Sequence, residues 1–268
     1  MAAADPYKVR RFEVTGTGAG ESGKRSRALT SNGRRAGVDP TGQGGLHLVE
    51  TIRAAAPHQR ARGRTGPGLR IAREDLRQAV LEGREGNLVL FVVDASGSMG
   101  ARSRMAAVKG AVLSLLMDAY QRRDKVGLIT FRGGDAELTL PPTWSVEAAA
   151  ARLTSLPTGG RTPLAAGLLR AHETLRLERV RDPQRRPLLV VVTDGRATGP
   201  RGGDHLSDAR RAAGLLAAAG TASVVVDCES GPVRLGLAAS LGTALGGRTM
   251  RLEELGAEQL VRTVREAA

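Results

Sequence analysis

The chain has 268 residues, of which 41% are hydrophobic but only 2% aromatic, so its core must be built from Val, Leu, Ile and Ala. The single cysteine, Cys228, excludes a disulfide framework and a cysteine metal cage; no apolar run approaches the roughly 18 residues of a membrane span, and without a signal-peptide core a cytoplasmic location is expected. The net charge is +13, yet residues 1–87 carry 16 Lys/Arg against 9 Asp/Glu, so the excess is shared along the chain, and an acidic protein is a better expected partner than nucleic acid.

Residues 1–70 are rich in Gly, Arg, Ser and Thr and lack sustained periodicity, apart from Leu46–Ala56, which suits a short strand or helix. They read as a basic, linker-like extension, largely disordered. Within them Gly18–Lys24 nearly matches a phosphate-binding loop. Arg25 stands where that motif needs a hydroxyl, and neither an apolar strand before it nor an apolar helix after it is evident. A solvated linker is the expectation there.

Residues 71–268 read as the folded domain. Glu74–Gly83 is expected to be helical and to lead into a fully apolar strand at Leu88–Asp94. Ser103–Gln121 is an amphipathic helix with Met105, Val108, Val112, Leu115, Leu116 and Ala119 on one face. A strand follows at Val126–Phe131, then a hairpin strand at Ala136–Leu140 stopped by Pro141-Pro142, then a helix at Ser145–Ser155. Arg161 or Thr162 opens a helix that runs to about Val180, and Leu188–Thr193 is a second apolar strand. The pattern closes with a helix at Leu206–Ala219, a strand at Thr221–Asp227, a helix at Val233–Leu241, a strand near Arg248–Leu252 and a helix at Ala257–Glu266. Alternation of this kind predicts an α/β fold with a doubly wound, mostly parallel sheet.

Three segments place oxygen-bearing side chains at the C-terminal edge of that sheet, where open α/β sheets bind ligands. They are Asp94-x-Ser96-x-Ser98, the glycine loop Gly159-Gly160-Arg161-Thr162-Pro163, and Thr193-Asp194-Gly195. Right-handed crossovers let these distant loops converge. Read alone, Asp94–Ser98 suits a Ser/Gly turn with a capping Asp equally well. Together, Asp94, Ser96, Ser98, Thr162 and Asp194 form an oxygen set suited to Mg²⁺, with positions left open for a partner carboxylate or a phosphate. Arg161, beside Thr162, would steer an acidic partner or pair at the helix start. Glu229 and Arg234 flank a turn at the same edge and would contact a partner or close a salt bridge. The four histidines are scattered and form no ligand set.

The order Asp94-x-Ser96-x-Ser98, Thr162, Asp194 resembles the metal-ion-dependent adhesion site of a von Willebrand factor A domain. The resemblance implies that the hydroxyls coordinate the metal, that the aspartates act largely through water, and that a ligand carboxylate completes the sphere. Further stretches resemble the C-terminal half of the D subunit of magnesium chelatase and its cobaltochelatase relatives: Arg53–Gln59, Asp118–Gly133, Leu140–Thr143, Leu156–Leu164 and Asp227–Pro232. This implies a non-ATPase subunit of a complex that inserts Mg²⁺ into protoporphyrin IX or Co²⁺ into a corrin precursor. Such a subunit would grip an acidic motif on an AAA+ ATPase or on a large tetrapyrrole-binding subunit, with ATP entering only through a partner and no catalysis by this chain alone. The AAA+-like module of full D subunits has no counterpart in this sequence, so the ATPase is expected from another polypeptide or from an N-terminal half missing from the gene. The alternative is a stand-alone adhesion-site domain that partners a MoxR-type AAA+ chaperone in metalloprotein maturation.

Overall fold

In the computed structural model, residue 9 and residues 12–39, 44–99, 102–155, 157–199, 203–230 and 234–255 are described. Two sheets organise them. The smaller is an antiparallel ribbon of β1 (Ser22–Asp39) and β2 (Gln78–Glu85), with bulges in β1. The larger contains β3 (Leu88–Asp94), β4 (Lys125–Arg132), β5 (Asp135–Thr143), β6 (Pro187–Thr193), β7 (Ala222–Asp227) and β8 (Arg248–Arg251). Its order is β5-β4-β3-β6-β7-β8, and every pairing except the β4–β5 hairpin is parallel.

The apolar strands are buried on both faces, and their side chains alternate between two cores. Val89, Phe91 and Val93 of β3 pack with α2 (Arg102–Gln121) and α3 (Val146–Thr154). Leu88, Leu90 and Val92 pack with α4 (Leu164–Arg181), α5 (His205–Ala218) and α6 (Leu237–Ala244). The six apolar residues predicted for one face of α2 all lie in the first core. Ser145 caps α3, its hydroxyl accepting from the Ala148 N–H.

After β3 the chain crosses to β4 on one side and later returns to β6 on the other. The strand order therefore reverses between β3 and β6, and the C-terminal ends of these two strands form the crevice where the site residues meet.

Several expectations need correction. The segment read as a largely disordered extension contains β1 and α1 (Leu48–Ala55). The helix expected over Glu74–Gly83 is instead a short 3-10 turn at Arg73–Asp75 followed by β2. Both errors have one cause: the ribbon is held by backbone pairing and ion pairs, Arg27 with Glu82 for example, and not by an apolar stripe. β5 continues through Pro141-Pro142 to Thr143 because it is an edge strand with a register shift at the prolines, where a missing N–H costs little. α4 starts at Leu164, since the Thr162 carbonyl already accepts from the Leu164 and Thr198 N–H groups. α6 starts at Leu237, after Gly236 in a left-handed conformation. The expected helix at Ala257–Glu266 lies outside the described residues.

Candidate metal site at the C-terminal edge of the sheet

Asp94 is the last residue of β3 and is fully buried. Its Oδ1 accepts from the Ser96 N–H at 2.9 Å and its Oδ2 from the Thr193 hydroxyl at 2.9 Å. Burial is the main reason that its carboxyl is pushed up to about 6, and the nearby Asp194 charge acts in the same direction. The hydrogen bonds from Ser96 and Thr193 oppose the shift.

Backbone hydrogen bonds lace the three predicted loops together. The Gly97 N–H donates to Gly160 O at 2.8 Å, and the Gly159 N–H to Ala95 O at 2.9 Å. These bonds bind the Asp94–Ser98 turn to the glycine loop. Thr162 and Thr198 bond reciprocally: the Thr162 N–H donates to Thr198 Oγ1 at 2.8 Å and the Thr198 N–H to Thr162 O at 2.9 Å. This ties the glycine loop to the loop that carries Asp194. Gly195 turns with φ +77°, and a Cβ there would meet the Ala238 nitrogen at 2.3 Å, so glycine is required after Asp194.

Thr162 and Asp194 are each 3% exposed and Ser96 is fully buried. Ser98 lies in the 3-10 turn Gly97–Met99, placed by its backbone. Asp194 Oδ1 accepts from the Arg196 N–H at 3.0 Å, and its only described ion pair is a long one, 3.6 Å to the half-exposed Arg196. Asp94 has no ion pair among the described residues. Two buried carboxylates sharing this edge with the buried hydroxyl residues Ser96, Thr162 and Thr193, and with so little compensating positive charge among the described residues, suit a hard divalent cation. Among the described residues no group of three His, Cys, Asp or Glu side chains could hold a metal. The donor chemistry fits Mg²⁺.

Of the residues predicted for a partner, Arg161 is exposed at the rim, its carbonyl accepting from the Gly133 N–H at 2.9 Å. Glu229 is placed differently. It is 6% exposed, and its carboxylate holds the Leu235 N–H at 2.8 Å and the Gly236 N–H at 3.2 Å. Its side chain is used internally, and Arg234 approaches Asp227 instead, at 3.9 Å. Cys228 is buried at the same edge. Desolvation, reinforced by the Asp227, Asp94 and Asp194 charges, raises its thiol pKa well above the usual value, which disfavours the thiolate.

Thr193 and Thr198 belong to the site and were not among the predicted ligands. A threonine directly before Asp194-Gly195 at the end of an apolar strand is the signal that could have found Thr193. Thr198 carries none.

The Gly18–Lys24 stretch is no phosphate loop. It leads into β1 and not into a helix, and the Gly20 N–H donates to Glu85 Oε2 at 2.8 Å. A buried carboxylate thus holds an amide that a phosphate would need.

Comparison with known proteins agrees with this architecture. A profile of the von Willebrand factor type A domain matches residues 89–196, and a profile of the AAPxQ domain matches residues 43–81. The chain is 55% identical over 265 residues to the uncharacterized protein Rv2850c of Mycobacterium tuberculosis, covering 98% of this chain and 41% of that protein. It is 36% identical over 279 residues to the magnesium-chelatase 67 kDa subunit of Chlorobaculum tepidum, covering 96% of this chain and 45% of the subunit. The chain therefore spans less than half the length of these relatives. A manganese-loaded Plasmodium vivax TRAP protein shares the fold, with a TM-score of 0.53 at 16% identity, over 65% of this chain and 71% of that one.

Proposed function

Because the chain belongs to the von Willebrand factor A family, as a module related to the D subunits of magnesium chelatase, we propose that it is a non-ATPase subunit of an ATP-dependent metal chelatase. In this reading it uses a bound Mg²⁺ to hold an acidic motif of a partner subunit. The observation that carries the reading is the Asp94 carboxylate, fully buried, fixed by Ser96 and Thr193, and without an ion pair among the described residues.

Ser96, Ser98 and Thr162 would supply hydroxyl oxygens to the ion, with Asp94 and Asp194 balancing its charge. Bound there, Mg²⁺ would offer an open coordination position to a carboxylate from outside the chain. The chain's own residues do the rest. The Thr162–Thr198 and Gly97–Gly160 bonds keep the three loops in register, and exposed Arg161 adds positive charge on the approach of an acidic segment. The partners proposed are an AAA+ ATPase subunit, which alone would handle ATP, and a large tetrapyrrole-binding subunit. The metal ion inserted into the tetrapyrrole is substrate and is distinct from the ion held here.

The test is retention of partners from native lysate by the immobilised chain, in Mg²⁺ and again in EDTA, with identification by mass spectrometry. Retention of an AAA+ protein together with a large chelatase subunit, both lost in EDTA, is the expected result. Retention of both in EDTA would overturn the metal bridge, and a MoxR-type ATPase without the large subunit would overturn the chelatase assignment.

A further inference from the structure

Residues 44–80 are folded with polar groups inside and apolar groups outside. The buried side chains of this stretch are Thr51, Ala55, Gln59, Asp75 and Ala79. The three polar ones bind its own backbone and one arginine. Gln59 Nε2 donates to Ala55 O at 2.7 Å and Arg70 O at 2.9 Å, while its Oε1 accepts from the Arg70 N–H at 2.8 Å. Thr51 Oγ1 accepts from the Arg77 N–H at 3.0 Å. Asp75 accepts from the Ala72 N–H at 2.8 Å and pairs with Arg62.

The large apolar side chains take no part in this interior. Leu46, Leu48, Val49, Ile52, Ile71 and Leu76 are between 37% and 57% exposed. Leu48, Val49 and Ile52 share one face of α1, at spacings of one, three and four residues. Such a concentration of exposed aliphatic groups on a short stretch marks an interaction surface. Hydrogen bonds hold the fold of the stretch, which leaves its aliphatic groups for a partner.

Charge defines that partner. Residues 43–81 contain seven arginines and three acidic residues. The acids are already committed: Glu50 to Arg53, and Glu74 and Asp75 to Arg62. Arg60, Arg64, Arg70, Arg73 and Arg77 make no ion pair among the described residues. A second copy of the chain would bring the same unpaired arginines and be repelled.

We propose that this face docks an acidic amphipathic helix of a partner polypeptide. The apolar side of that helix packs on Leu48, Val49 and Ile52, and its carboxylates meet arginines of the same stretch. The surface sits beyond the far end of the ribbon. β2 runs from Gln78, which pairs with Leu46, toward the large sheet, and its eight residues span about 26 Å. The metal site lies at the opposite edge of that sheet, so docking here is independent of the metal and of the chelatase assignment.

The test uses the full chain and a fluorescein-labelled synthetic peptide with Glu and Leu at helical spacing, followed by fluorescence anisotropy in EDTA. A twin peptide with Lys in place of Glu is the charge control. The Glu/Leu peptide is expected to bind in EDTA and the Lys/Leu twin not to bind. The double change Leu48→Ser with Ile52→Ser should weaken binding by about tenfold or more, the loss expected when two buried aliphatic contacts are removed. Met117→Ser with Tyr120→Ser, an exposed pair on α2, should leave binding unchanged. Because all four positions are exposed, unchanged melting temperatures should confirm that both variants fold. Equal binding of the two peptides would overturn the proposal by showing that charge plays no part, and full binding by the Leu48/Ile52 variant would overturn it by leaving only attraction to a basic chain. So would single-stranded DNA binding that matches the Glu/Leu peptide and ignores the same substitutions. A dimer in sedimentation that the Leu48/Ile52 change dissolves would also overturn it, by making a second copy the occupant.

Discussion

The Thr193 hydroxyl donates to Asp94 Oδ2 at 2.9 Å, joining the last residues of β6 and β3 where the strand order reverses, and both side chains are fully buried. The same hydroxyl oxygen accepts the Gly195 N–H at 3.1 Å, so one side chain fixes the Asp94 carboxylate and the turn that presents Asp194. Thr193→Val keeps the shape and removes both bonds. Leaving buried polar atoms without partners costs about 1–3 kcal/mol, a fall of several degrees in melting temperature for a chain of this size. Mg²⁺ affinity should fall by about tenfold, the range seen when a supporting partner of a metal ligand is lost. Calorimetry with Mg²⁺ titration checks both effects, and Thr193→Ser should restore the affinity.

Asp94→Ala separates metal binding from folding. In EDTA the variant should keep its fold and melt close to the wild type, because relief of a desolvated charge with no ion pair among the described residues offsets the hydrogen bonds lost from Ser96 and Thr193. In the wild type, Mg²⁺ should raise the melting temperature as its concentration rises, the added stability reaching about 2.7 kcal/mol at a hundredfold excess over the dissociation constant. The variant should show no such rise. A Mg²⁺-dependent shift that survives Asp94→Ala would remove this carboxylate from the ligand set.

Arg25 latches the ribbon to the large domain. Its guanidinium is 2% exposed and reaches Asp124 Oδ2 at 2.5 Å, Asp118 Oδ2 at 2.9 Å and Phe12 O at 2.8 Å. Arg25→Met leaves two carboxylates facing an empty position and should cost about 3–5 kcal/mol. Protease cleavage should then begin within β1, before the sheet is attacked. Arg25→Lys should rescue little, since one ammonium cannot reach three acceptors in that geometry.

The large sheet was legible because its strands are buried on both faces, and Leu88–Asp94 could hardly be anything else. The convergence of the three loops was legible because each lies where an apolar strand ends or a helix opens at the C-terminal edge of the sheet. The ribbon was not, and Arg25 shows why. An arginine after a glycine-rich stretch reads as solvated, and nothing local reveals that Asp118 and Asp124 wait for it far along the chain. Gln59 is similar: its three bonds fix residues 55–70, yet a lone glutamine carries no periodic signal. Pattern reading finds apolar cores, and it passes over structure held by long-range polar bonds.

Acid should loosen that glutamine-held stretch before the large sheet. The Asp75 carboxyl is held down to about 2, chiefly by its hydrogen bond from Arg62 and also by the Ala72 N–H, against the effect of burial. A carboxyl depressed in the folded state contributes stability that is complete above its ordinary value of about 4, and that contribution is lost as the pH falls through about 2. Hydrogen exchange of residues 59–77 should therefore speed up over this window. Asp75→Asn should exchange fast at neutral pH and lose the acid dependence. An unchanged acid profile in the variant would show that another group governs the opening.

One covalent line runs from the docking face through β2, Gly86 and Asn87 into β3, and ends at Asp94. β3 is paired along its length on both sides, to β4 and to β6, in parallel register. A pull between a partner gripping α1 and a partner gripping the metal edge would load β3 lengthwise. All its ladder bonds would then resist together in shear, and none could be peeled open singly. The central strand is thus suited to act as a tie rod that carries mechanical work across the module without stretching.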